Sequence, residues 1–139
     1  MKKRRKAREL ALKALFQMDI TKDFSENSLE VFWNSDLFKF YPEEIKEFAN
    51  KIIRGVIKHK KEIDKEIEKV AINWKIPRMA VVDRNILRAG VFELLYCDDI
   101  PPKATINEYI EIAKKYGNTK SSKFVNGILD KIYKNKKSG

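Results

Sequence analysis

Cysteine and histidine are nearly missing from this sequence: its 139 residues hold one of each, Cys97 and His59. A single Cys excludes an internal disulfide and fits a reducing cytoplasm. With only one His beside it, there is no His/Cys cluster of the kind a structural zinc site needs. Five Gly and four Pro are too few turn formers for the many short strands of a sandwich or barrel. Long apolar runs are missing as well. None approaches the ~20 residues that span a bilayer, and no apolar signal segment follows the basic start. Gly-rich phosphate loops, strand–turn–helix nucleotide motifs and metal-ligand spacings are likewise absent. His59 lies in the solvated run Val56-Ile57-Lys58-His59-Lys60-Lys61, and Cys97 has no activating His. The acid pairs Glu43-Glu44 and Asp98-Asp99 read as helix-end and connector residues. The expectation is a protein that is not an enzyme and carries no metal or cofactor.

What the sequence has in excess is positive charge, 30 Lys+Arg against 20 Asp+Glu, and it is concentrated at the ends. Residues 1–13 hold seven basic side chains and one acid, and residues 114–137 hold eight and one, while the middle is slightly acidic. Such asymmetry points to a polyanion, either nucleic acid or a membrane surface, with solubilising tails as the bland alternative.

A hydrophobic fraction of 43% supports a folded core, and the periodicity is helical throughout. Ala7, Leu10, Ala11, Ala14, Leu15 and Met18 predict a helix over residues 4–18 with one buried face. A short aromatic helix over 28–38 buries Leu29, Phe32, Trp33 and Leu37, and a long third helix opens at Pro42 and runs to about residue 72. Asn73-Trp74-Lys75-Ile76-Pro77 breaks it and divides an N-terminal helical subdomain, 1–76, from a C-terminal one, 77–139. The fourth helix, 78–96, scatters Asp83, Arg84, Asn85, Arg88 and Glu93 around its wheel, so it is either central to the core or shared with a partner. A capping box at Thr105–Glu108 predicts the start of a fifth helix, and Gly117 a left-handed cap at its end. The last helix covers 119–133. The fold class is all-α, two small bundles packed together as one domain.

The two terminal helices share one chemistry. On the first, Arg5, Arg8, Leu12 and Phe16 fall outside the buried arc; on the last, Phe124 falls near Lys120, Gly127 and Lys131. Cations beside a ring suit single-stranded RNA, the cations taking phosphates and the ring stacking on an unpaired base. Gly127 permits close approach, and Ser121 and Ser122 can donate to phosphate. A membrane surface would want a broad apolar side instead. Core packing is the competing role for both Phe16 and Phe124.

Three stretches carry a resemblance. Residues 7–17, Ala-Arg-Glu-Leu-Ala-Leu-Lys-Ala-Leu-Phe-Gln, and residues 83–94, Asp-Arg-Asn-Ile-Leu-Arg-Ala-Gly-Val-Phe-Glu-Leu, are two of them. The third and most specific is Ile100 to Lys114, followed by Lys123 to Asp130. In order and spacing they resemble the NusB family of transcription antitermination proteins over nearly the whole chain, least in residues 19–41. The resemblance implies a NusB-like helical fold and a cytoplasmic RNA-binding adaptor. It implies pairing with the ribosomal protein NusE, binding to boxA RNA, and service in the RNA polymerase antitermination complex on ribosomal RNA operons. By the same resemblance the RNA surface includes Arg4, Arg5, Arg8, Phe16 and the segment Lys120, Ser121, Ser122, Lys123 and Phe124, to which the basic start adds Lys2 and Lys3 and the last helix's outward face adds Gly127. The NusE surface comprises Asp83, Arg84 and Leu87, which favours the partner-surface reading of the fourth helix. An apolar partner face left empty would let the free protein form a homodimer. The alternatives are an accessory RNA-binding or protein-interaction module in ribosomal RNA maturation, since such domains also occur fused to ribosomal RNA methyltransferases, and an interaction module whose basic ends only solubilise.

Overall fold

Apolar residues recurring every three to four positions give six helices, and in the computed structural model, which describes residues 2–138, no strand joins them. They are α1 Lys2–Thr21, α2 Glu26–Asn34, α3 Glu43–Val70, α4 Val81–Tyr96, α5 Pro102–Tyr116 and α6 Ser121–Ser138, with a one-turn helix at Ile76–Arg78. Helix α4 is the axle of the fold and packs against α1, α3, α5 and α6. Eleven of its sixteen residues are buried, which decides for the core over the partner surface.

The polar residues scattered around α4 are clamps pointing in different directions. Asp83 accepts the Ser121 hydroxyl at 2.6 Å and ties α4 to α6. Arg84 and Asn85 both reach Asp19 at the end of α1. Arg88 bridges Asp64 of α3 at 2.8 Å and Asp19 at 3.0 Å. Glu93 receives Arg8 of α1 through two hydrogen bonds, 2.9 and 2.8 Å, and the Tyr109 hydroxyl of α5. Buried polar groups need such partners, since an unpaired one costs about 1–3 kcal/mol.

The stripe expected on α1 is buried as read, with Ala7, Leu10, Ala11, Ala14, Leu15 and Met18 in the core. Leu12 and Arg8, expected on the outward flank, are buried too. Helix α1 lies between α3 on one side and α4 on the other, and its Arg5 and Glu9 reach α5, so it buries a wider arc than one stripe. Past its end Lys22 takes a left-handed φ of 58°, and the Asp23 amide bonds back to the Met18 carbonyl at 2.9 Å, a turn usually given to Gly.

Other boundaries differ for local reasons. Helix α2 starts at Glu26 because the Ser25 hydroxyl caps the Ser28 amide at 3.1 Å. It stops at Asn34, which leaves Leu37 exposed, while Phe38 turns back to stack on Phe32. Helix α3 kinks at His59 (φ −109°, ψ 19°), and that ring stacks on Tyr96 at 3.9 Å, so it is half-buried and not free in solvent. Helix α5 begins at Pro102, since Pro is tolerated in a first turn. Thr105 is therefore already inside the helix, and Glu108 pairs with Arg5 and not with the Thr105 amide. Gly117 is extended, not left-handed (φ −91°, ψ −169°); its missing Cβ leaves room for the Ser121 side chain. Helix α6 runs five residues past the expected end at Tyr133, and its Lys136 amine caps the Leu94 carbonyl at 2.7 Å.

Candidate nucleic-acid interface

Exposure and pairing sort the basic residues into three groups. Arg8 is fully buried, its guanidinium neutralised by Glu93 and 3.7 Å from Glu108. Burial opposes its charge, but the Glu93 carboxylate more than offsets that and holds the Arg8 pKa well above its ordinary value. The placement of Arg8 on an RNA surface is corrected: it is an internal tie. Lys3, Arg5 and Lys6 form the second group, outward but paired with Glu44, Glu108 and Glu9. Surface pairs of this kind contribute about 0–1 kcal/mol and can be exchanged for phosphate. Arg4 lies over the Phe48 ring at 4.8 Å. The side chain expected to contribute at Lys2 lies outside the described residues.

The third group has no carboxylate within ion-pair distance among the described residues; some of its members, such as Lys22, Lys58 and Lys103, are spread over the surface, while Lys13, Arg78, Lys120, Lys123 and Lys131 line depressions. Lys13, Arg78 and Lys120 border two depressions that meet at the first turn of α4. One, of about 230 Å³, is lined by Leu12, Lys13, Phe16, Val82 and Tyr116. The other, of about 290 Å³, is lined by Trp74, Arg78, Met79, Ala80, Asp83, Asn118, Lys120 and Phe124. Phe16 is 38% exposed and Trp74 50%. Phe124 is half-buried and meets Trp74 edge-on, the ring centres 6.5 Å apart. Phe16 thus lies at the surface, while Phe124 does both jobs, packing on the core and showing an edge.

The loop between α5 and α6 is held rigidly enough to aim its lysine. The Asn118 amide donates to the Ser121 hydroxyl at 2.9 Å, and the Lys120 amide donates to the Asn118 side chain at 2.8 Å. Ser121 is buried and its hydroxyl is committed to Asp83, so its expected donation to phosphate is corrected. Ser122 is half-buried, and Lys123 and Gly127 are exposed. On the α4 side, Asp83 and Leu87 are buried, and Arg84 is held by two 2.7 Å bonds to Asp19. The expected NusE anchors Asp83 and Leu87 are therefore interior, because α4 is enclosed by four helices; what its first turn shows outward is Val81, Val82 and Arg84. Lys13, Trp74, Arg78 and Tyr116 were not singled out from the sequence. An indole in the polar break Asn73-Trp74-Lys75 was the one available signal, since nothing in that run offers it a buried stripe.

An all-helical domain that sets unpaired cations beside exposed rings around one helix end defines a class, a basic helical protein with a surface suited to a polyanion. The NusB family profile matches residues 5–134, and the chain belongs to that family. It is 47% identical to the transcription antitermination protein NusB of Anaeromyxobacter dehalogenans, over 94% of this chain and 89% of that one. The solved structure of T. maritima NusB superposes with a TM-score of 0.84 at 44% identity, covering 94% of this chain and 90% of that one. A solved complex of the antitermination factors NusB and NusE with double-stranded RNA superposes with a TM-score of 0.85 at 31% identity, covering 97% and 98%. The all-α, NusB-like fold expected from the sequence is the one observed.

Proposed function

We propose that the protein is a transcription antitermination factor that binds boxA RNA together with NusE and so joins the RNA polymerase antitermination complex. The observation that carries this is the ring-and-cation surface: Phe16, Trp74 and Phe124 beside Lys13, Arg78, Lys120 and Lys123, all without carboxylate partners among the described residues. Family membership and the likeness to a NusB–NusE–RNA complex support it. Exposed Lys3, Arg4 and Arg5 extend the surface along the start of α1. The chemistry is binding and not catalysis, and its place is the cytoplasm; no helix among the described residues is long and apolar enough to cross a membrane.

The test is the affinity of labelled boxA RNA, of a scrambled RNA and of a duplex over a salt series, with and without NusE. Tighter binding of boxA than of the scramble, increased by NusE, is expected, and rings that stack on unpaired bases should favour the single strand over the duplex. Equal binding of boxA and scramble that NusE leaves unchanged would reduce the surface to an electrostatic coat.

A further inference from the structure

Behind the Trp74–Phe124 pair a third depression, of about 370 Å³, opens between the end of α3 and α6. Trp74 walls it with a half-exposed indole. Its floor is Gly127, where a Cβ would meet no atom within 4 Å. Lys123 and Lys131, one helical turn to either side of Gly127 on the same face of α6, stand at its rim. Neither has a carboxylate partner among the described residues. The space is of the size that binds small planar ligands.

We propose that this depression is a separate nucleotide subsite, taking an unpaired purine that flanks boxA and stacking it on Trp74, with the adjoining phosphates on Lys123 and Lys131. The inference rests on the RNA-binding reading and extends its track around α6. The components match the ligand: a planar apolar face, a backbone left bare by glycine, and two unneutralised cations either side.

The test compares boxA RNA with the same RNA lengthened by a short adenosine run at either end, on the NusE complex. Lengthening at one end should tighten binding to the wild type about tenfold. Trp74→Ala, and Gly127→Leu, which fills the space, should remove that gain, so that each variant binds lengthened and unlengthened boxA within about twofold of one another; Trp74→Phe should keep most of it. In a Trp33→Phe background Trp74 is the sole indole of this chain, and its fluorescence should be quenched more by the lengthened RNA than by boxA alone. A wild type that gains nothing from lengthening at either end, or a gain that survives Trp74→Ala, overturns the subsite. Wild type that fails to tell boxA from a scramble overturns the RNA reading itself and the subsite with it.

Discussion

Arg8 and Glu93 lie 85 residues apart in the chain and form a two-bonded ion pair with neither side chain exposed. The Tyr109 hydroxyl donates to the same carboxylate, and burial with Glu93's charge pushes its pKa well above the ordinary value, so it remains a donor. Arg8→Met would leave a buried carboxylate without its cation and should cost about 3–5 kcal/mol. Adding Glu93→Leu should recover a large part of that, because the whole charged pair is then gone. Urea midpoints of the single and double variants check this, and a double variant as unstable as the single one would refute it.

Asp19 gives the fold an acid-sensitive joint. Burial pushes its pKa up, but hydrogen bonds from Arg84 and Asn85 and the charge of Arg88 prevail and hold it at about 2, against an ordinary 3.8. A depressed carboxylate contributes stability that is complete above its unfolded value and is lost as pH falls through the folded one. The contribution is about 2 kcal/mol and should fade between about pH 4 and pH 2. Glu9 and Glu108 are depressed as well, Glu9 by Tyr116 and Lys115 against its burial and Glu108 by Arg5, and act in the same sense. Asp19→Asn should be less stable at neutral pH and show a flatter acid limb, read from thermal midpoints at stepped pH.

Ser121 aims Lys120. Its hydroxyl donates to Asp83 and accepts from the Asn118 amide, so Ser121→Ala strips the buried Asp83 carboxylate of a donor and the loop amide of its acceptor and should cost about 1–3 kcal/mol. RNA affinity should fall as well, although the hydroxyl touches no phosphate. Ser121→Thr, which keeps the hydroxyl, should restore affinity more than it restores stability.

Phe16 separates binding from folding more cleanly than Phe124. At 38% exposed it supports little packing, so Phe16→Ala should shift the thermal midpoint slightly but weaken boxA binding by about 1–3 kcal/mol if a base stacks there. Phe124→Ala should do both, because that ring also packs on the core.

The stripe of α1 was legible because a buried face imposes a period, and Ala7, Leu10, Ala11, Ala14, Leu15 and Met18 are in the core, while Leu12, which the wheel put outside, is buried as well. The scatter of polar groups on α4 marked it as either central or shared with a partner, and neither the choice nor the direction of each clamp was legible, since Arg8–Glu93 and Asp64–Arg88 join residues far apart in sequence. For the same reason Arg8 read as an outward cation: a wheel shows one arc and cannot show that a second helix covers the next. The capping box at Thr105 lost to Pro102, which is already shaped for a helix start. Phe16, Lys120, Lys123 and Phe124 are each at least partly exposed and line depressions that bring cations beside rings. Trp74 joins them only through folding, because a loop has no period to read, and Arg78, expected at the start of the fourth helix, lies in the one-turn helix before it.

The central claim is that the unpaired lysines of the α5–α6 end, and not the buried arginine of α1, meet the RNA backbone. The measurement is the salt dependence of boxA affinity for the wild type and for the Lys120→Gln/Lys123→Gln variant, with NusE present. Each phosphate contact contributes a slope of about −0.7 in log K against log salt for single strands, so the double variant should be shallower by about 1.4 and bind more weakly at low salt. An unchanged slope with unchanged affinity would place the RNA elsewhere on the molecule and contradict the account.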